Sequence, residues 1–176
     1  MNKTLITISG PTAVGKTKLS IDLAMNLNCE IISSDSRQFY KELSIGTAIP
    51  TKKELIKVKH HCIQHKSITE SYTIKDFEKE ALNIITNQFK TNKYLIMVGG
   101  SGLYMDAVIN GLDEFPEIDN KVRNKLNEMY QKFGIEYLQK KLKKLDSKYY
   151  SKVDKKNPRR LIRALEVCIS SNKPYS

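Results

Sequence analysis

Residues 10 to 17 read GPTAVGKT, which sets Gly10, Pro11, Thr12, Ala13, Val14, Gly15, Lys16 and Thr17 in the pattern G-x-x-x-x-G-K-[ST]. Each residue type has a physical reason to be there. Glycines let the backbone close around an anion, loop and helix N–H groups point at it, and the lysine adds a mobile positive charge. The Thr17 hydroxyl is suited to a magnesium ion bridging two phosphate groups. The chemistry is therefore phosphate binding. Either a nucleotide triphosphate or the diphosphate of another substrate satisfies the loop, so the motif alone leaves both open.

A second reactive group follows at Asp35, at the end of the apolar run EIISS. A carboxylate at the carboxyl edge of a parallel sheet lies on the edge where such sheets bind ligands, beside the phosphate loop. It could hold a metal, act as a general base or accept a hydrogen bond from a second substrate; capping the turn DSRQ is the purely structural alternative. A nucleotide triphosphate hydrolase ordinarily carries a further acidic residue at the end of a nearby strand. Here YLIMV is followed by Gly99, Gly100, Ser101 and Gly102. That favours transferases over motors and switches.

Elements that position these groups are legible around them. LITIS (5 to 9) reads as a buried strand, and a helix runs from the loop to Leu27 with Leu19, Leu23 and Leu27 as its apolar stripe. EIISS (30 to 34) is a second strand, so the three form a βαβ unit whose strands are parallel neighbours or near neighbours. Thr73 with Asp76 three residues on predicts a capped helix with Phe77, Ala81, Leu82 and Ile85 facing inward. YLIMV (94 to 98) is a third strand, and a helix then runs to about Gly111. Residues 1 to 111 read as an α/β core with a parallel sheet and flanking helices. Residues 112 to 176 read as an all-helical basic segment, with FPEID as the connection and Asn157-Pro158 as a helix start.

Composition narrows the setting. Apolar residues make up 40% and charged residues 28% of the 176, as in a soluble globular chain. No apolar run approaches the roughly 20 residues of a membrane span, and the N-terminal run is too short for a secretory signal. Cys29, Cys62 and Cys168 are too few and too scattered for a disulfide framework, which places the chain in the cytoplasm. The net charge is +11, but residues 1 to 118 contribute only +1 and residues 119 to 176 contribute +10. Such asymmetry points to a polyanion-binding surface joined to a nearly neutral body. A solvated lysine-rich helical face is the alternative.

The blocks GPTAVGKT, ISSDSRQFY, IGTAIP, HH with YTIKDF, VGGSGLY and NPRRLIRALEV stand in the order seen in tRNA dimethylallyltransferases, a P-loop family that the whole chain resembles. The resemblance implies a P-loop NTPase-like fold and a defined reaction. A dimethylallyl group passes from dimethylallyl diphosphate to the exocyclic N6 of the adenine next to the anticodon, in tRNAs reading codons that begin with U. It implies that Gly10 to Thr17 hold the donor's diphosphate, with Lys16 serving the leaving group and Thr17 holding Mg2+. Asp35 would be the general base, with Ser101, often threonine in the family, beside the acceptor nucleotide. It further implies tRNA contacts at Asp35, Ser36, Arg37, Gln38, Ser101, Arg123 and along Arg159, Arg160, Leu161, Ile162 and Arg163. All five arginines fall at such positions in a chain that otherwise uses lysine. The implied partners are the anticodon stem-loop and the prenyl diphosphate, with no membrane and with the chain a monomer.

The chain is shorter than family members and stops soon after a helix, so it reads as truncated, with the remainder of the core missing. A small-molecule kinase of the shikimate-kinase type shares the phosphate loop, the Asp after the second strand and the glycine turn. A non-catalytic tRNA-binding remnant is the other alternative. His60, His61, Cys62 and His65 cluster in sequence, but His60 and His61, as neighbouring strand residues, face opposite ways and cannot share one ion, and the spacing fits no common structural zinc site, so the cluster is not read as metal-binding.

Overall fold

A computed structural model of the chain describes residues 2 to 112 and 120 to 176; the FPEID connection lies outside the described residues. The chain divides into two compact units, Met1–Leu112 and Asp113–Ser176.

The first unit is built on β1 (Thr4–Ser9), β2 (Ile31–Ser33), β3 (His60–His61) and β4 (Tyr94–Gly99). Its helices are α1 (Lys16–Leu27), α2 (Lys52–Lys57), α3 (Ile74–Gln88) and α4 (Gly102–Asn110). The strands are all parallel in the order β1-β4-β2-β3. β4 thus inserts between the two strands of the first βαβ unit, which are near neighbours and not direct ones. Because successive side chains alternate across a sheet, Leu95 and Met97 enter one core with Phe39, Phe77, Ala81 and Met105. Ile96 and Ile31 point the other way, to Ile21 and Ala24 of α1.

Two sequence-derived stripes need correction. Leu19 is exposed, and α1 instead buries Ser20, Ile21 and Ala24, whose small side chains let the helix close on the sheet. Leu82 is also exposed, while Phe77 and Ala81 carry the inward face of α3. The Thr73–Asp76 capping box forms as expected: the Thr73 hydroxyl accepts from the Asp76 N–H, and the Asp76 carboxylate accepts from the Thr73 N–H at 2.8 Å.

The second unit holds α5 (Asn120–Phe133), α6 (Ile135–Leu145), α7 (Ser147–Lys152) and α8 (Pro158–Ser171). Leu126, Leu138, Leu142, Leu161 and Leu165 form its core. Asn157 caps α8, its side chain accepting from the Arg160 N–H, with Pro158 at the first helical position. α7 carries no periodic signal in the sequence; its start is capped by Asp146, whose carboxylate accepts from the Tyr149 N–H at 2.8 Å.

Candidate functional site

The phosphate loop takes the shape its sequence demands. Gly15 precedes α1 at φ 91°, and Ala13 sits at φ 69°, so successive N–H groups turn inward toward the helix N-terminus. No side chain caps α1, so its first N–H groups are presented to the loop. Lys16 Nζ donates to the Pro11 carbonyl at 2.6 Å, which holds the ammonium over the loop with two further donors to offer.

β4 brings the glycine turn against this loop. A side chain at Gly99 would lie 2.3 Å from Ser34 Oγ and 2.6 Å from the Ser34 carbonyl carbon, so only glycine permits the contact of β4 with the end of β2. A Cβ at Gly100 would stand 3.6 Å from the Gly10 oxygen and 3.8 Å from Asp35 Oδ2. Phosphate loop, glycine turn and carboxylate therefore meet at one point on the carboxyl edge of the sheet. They line a cavity of about 330 Å³ that also takes in Thr12, Thr17 and Gln38.

Asp35 does two things at once. Its Oδ1 accepts from the Arg37 N–H at 3.1 Å and its carbonyl accepts from the Gln38 N–H at 2.9 Å, so the DSRQ turn is real. Oδ2 lies on the Gly100 side, and the residue lines the cavity. Ser101 Oγ accepts from the Ser36 N–H at 3.1 Å, tying the start of α4 to this turn. Gln38 is committed internally: it accepts from Ser33 Oγ at 2.8 Å and donates to the Thr47 and Ala48 carbonyls at 3.1 and 2.9 Å. Its amide braces the segment carrying Ala48 and Pro50, which line the cavity. Arg37 is exposed.

Sequence reasoning missed the far wall, formed by Ala48, Pro50, Glu54, His60 and Ile63. One signal was available: Thr51 and Glu54 form a reciprocal capping box at α2, with the Glu54 carboxylate accepting from the Thr51 N–H at 2.7 Å. His60 Nδ1 lies 2.8 Å from the Val58 carbonyl, which makes that nitrogen the protonated one. Burial then pushes the ring below the ordinary histidine value and keeps it neutral.

The remaining expected contact residues belong to the second unit. Arg159 and Arg160 are exposed at the start of α8. Leu161 and Ile162 are buried in the helical core that also holds Leu126 and Leu138, as the apolar period of α8 requires. Arg123 Nη2 donates to Glu166 Oε2 at 2.9 Å while its Nε donates to Oε1, a fork on a carboxylate with no exposure at all. Arg163 Nη1 lies 3.7 Å from the same carboxylate. Arg123 therefore neutralises a buried charge, whatever else it touches.

Comparison with known proteins gives a consistent picture. The model of the IPP transferase family matches residues 38–176. A tRNA dimethylallyltransferase of Flavobacterium johnsoniae is 57% identical over 99% of this chain and 58% of its own length. One of Bacteroides thetaiotaomicron is 42% identical over 98% of this chain and 56% of its own. The full-length tRNA isopentenylpyrophosphate transferase of Bacillus halodurans is 40% identical, with a TM-score of 0.63 over 99% of this chain and 58% of that one. A eukaryotic dimethylallyltransferase acting on tRNA superposes with a TM-score of 0.79 at 30% identity, over 99% of this chain and 43% of its own. The chain thus spans less than three fifths of the length of these relatives.

Proposed function

Because the chain belongs to the IPP transferase family, we propose that it carries the donor site of a tRNA dimethylallyltransferase, moving a dimethylallyl group from its diphosphate to the N6 amine of the adenine beside the anticodon. The observation that carries this is the meeting of a phosphate cradle and a carboxylate, Asp35, in one cavity across a turn without side chains. A small-molecule kinase shares the cradle, but the family match favours prenyl transfer.

In the proposed reaction the loop N–H groups and Lys16 hold the diphosphate and stabilise the charge it gains as the allylic C–O bond breaks. The adenine nitrogen forms the new N–C bond, and its proton passes to Asp35. An amine conjugated into a purine is a poor nucleophile, so a positioned base is worth about 10² to 10⁴ in rate. Thr17 offers a hard oxygen at the N-terminus of α1, suited to Mg2+, which when bound neutralises diphosphate charge. The acceptor base has to leave its stack to reach the cavity, which costs least in an anticodon loop. Arg159, Arg160 and the lysines of α5 and α6 supply a phosphate-binding surface for the stem-loop.

Cradle and carboxylate come from one chain, which supports a monomer as the working unit. Among the described residues no helix is long and apolar enough to cross a membrane. Three free cysteines support a reducing compartment such as the cytoplasm. The test is transfer of label from dimethylallyl diphosphate to an anticodon stem-loop RNA in magnesium buffer. Asp35→Asn should lower the rate by about 10² to 10⁴ while leaving diphosphate binding intact; equal rates for variant and wild type would refute the role of Asp35.

A further inference from the structure

Cys62, His65 and Glu80 converge although they come from different elements: the turn after β3 and the middle of α3. A Cys62 sulfur, a His65 ring nitrogen and a Glu80 oxygen lie within 4.8 Å of one another. We propose that these three side chains form a binding site for a divalent transition-metal ion of zinc-like character.

The hydrogen bonding is the first reason. His65 Nε2 is 3.2 Å from Glu80 Oε1, an ion-pair contact, while the buried Nδ1 has no hydrogen-bond partner. Buried polar atoms in native proteins almost always find a partner, and a metal would be that partner here.

The carboxylate supplies the second reason, because its two oxygens are divided between tasks. Oε2 accepts from the Tyr72 hydroxyl at 2.8 Å and lies 3.6 Å from Lys66 Nζ, which leaves Oε1 on the His65 side. Outer hydrogen bonds that orient a ligating carboxylate are a regular part of metal sites. The His65 ring is fixed in turn by edge contacts with Phe39 and Tyr72, at centroid distances of 5.9 and 5.4 Å.

Backbone conformation is the third. Cys62 and Gln64 both have positive φ, 59° and 48°, although neither is glycine. Each such residue costs roughly 1 to 2 kcal/mol and persists only where its surroundings require it. The effect is a C-x-x-H turn that turns Cys62 and His65 toward one point. Hydrogen bonds from the Gln64 and His65 N–H groups to the Gln38 and Phe39 carbonyls, 2.8 and 3.0 Å, hold the turn in place.

The chemistry is balanced. Thiolate, imidazole and carboxylate are the ligand types zinc takes, and tetrahedral zinc spaces its ligand atoms roughly 3.3 to 3.6 Å apart, so the ion need draw these groups in by little more than about 1 Å. Thiolate and carboxylate together offset the dication's charge, with Lys66 Nζ 3.6 Å from the outer carboxylate oxygen adding one positive charge nearby. Burial pushes the free Cys62 thiol up to about 12, so the ion displaces a proton to solvent as it binds. His60 and His61 take no part: His60 bonds Val58, and His61 Nε2 pairs with Glu30 Oε2 at 2.5 Å. Since the turn holds Gln38 and Phe39 by their carbonyls, an ion here stiffens the wall of the cavity.

The experiment uses the whole chain, stripped with chelator and kept in excess Mg2+, titrated with Zn2+ and separately with Co2+. The expected result is one Zn2+ per chain, a sulfur-to-cobalt charge-transfer band, and Zn2+ protection of Cys62 against alkylation, followed by mass spectrometry. Cys62→Ser should abolish the band, and Glu80→Gln should weaken Zn2+ binding by about tenfold or more. Cobalt binding without a sulfur band, or Zn2+ binding unchanged in Cys62→Ser, overturns the proposal. If Cys62→Ser does not fold, wild-type protein decides: a Cys62 alkylation rate independent of Zn2+ overturns it equally.

Discussion

Gly99 and Gly100 are adjacent, yet the structure gives them opposite tolerances. In Gly99→Ala the new methyl would meet the Ser34 carbonyl carbon at 2.6 Å and its oxygen at 2.8 Å, both backbone atoms that no rotamer change removes. Relief requires the end of β2 to retreat by somewhat under about 1 Å, an overpacking cost of about 1 to 3 kcal/mol. The retreat stretches the bond from the Ser34 N–H to the Val98 carbonyl, now 2.8 Å, worth a further 0.5 to 1.5 kcal/mol or so. The sum, about 1.5 to 4.5 kcal/mol, lowers the urea midpoint of the α/β unit by about 1 to 2 M. In Gly100→Ala the methyl meets only ordinary contacts at 3.6 and 3.8 Å, and stability should stay within about 0.5 kcal/mol. Urea series read by hydrogen exchange on peptides covering β4 measure both. A Gly99→Ala midpoint equal to wild type, or an equal loss in Gly100→Ala, refutes the packing argument.

In the second unit, Arg123→Ala leaves the buried Glu166 with Arg163 as its ion-pair partner among the described residues; a loss of about 2 to 3 kcal/mol in unfolding free energy is expected. Arg159→Ala and Arg160→Ala should leave stability unchanged and reduce the salt dependence of stem-loop binding by a slope of about 1 each, measured by fluorescence anisotropy; unchanged slopes would contradict their role in RNA binding. At α3, hydrogen bonds from the Thr73 hydroxyl and N–H hold the Asp76 carboxyl below its usual value. Its contribution is complete above about pH 4 and is lost as pH falls through the folded value, because the unfolded chain takes up that proton first. Asp76→Asn should therefore cost about 0.5 to 1 kcal/mol at neutral pH and progressively less in acid, and a pH-independent difference in thermal unfolding would count against it.

Much of this site was readable before any fold was known, because its parts are local. GPTAVGKT dictates its own loop, the Thr73 and Asp76 pair is a capping signal four residues long, and Asn157-Pro158 opens α8 as two adjacent residues. What escaped was set by tertiary contact. β3 has two residues and α2 has six, too short for a periodic pattern to register. Glu80 joins Cys62 and His65 only because α3 packs over the turn after β3. The claim of Glu166 on Arg123 bridges 43 positions, and the arginine-rich run 159 to 163 conceals a buried pair, Leu161 and Ile162, that helical geometry turns inward.

Titration calorimetry in magnesium buffer, comparing dimethylallyl diphosphate with ATP, bears most directly on what the phosphate loop holds. One molecule of dimethylallyl diphosphate should bind per chain, more tightly than ATP, and Lys16→Ala should weaken it about tenfold to a hundredfold through loss of a charged hydrogen bond. Tighter binding of ATP, or prenyl diphosphate binding indifferent to Lys16→Ala, would contradict the assignment of the loop to a prenyl donor.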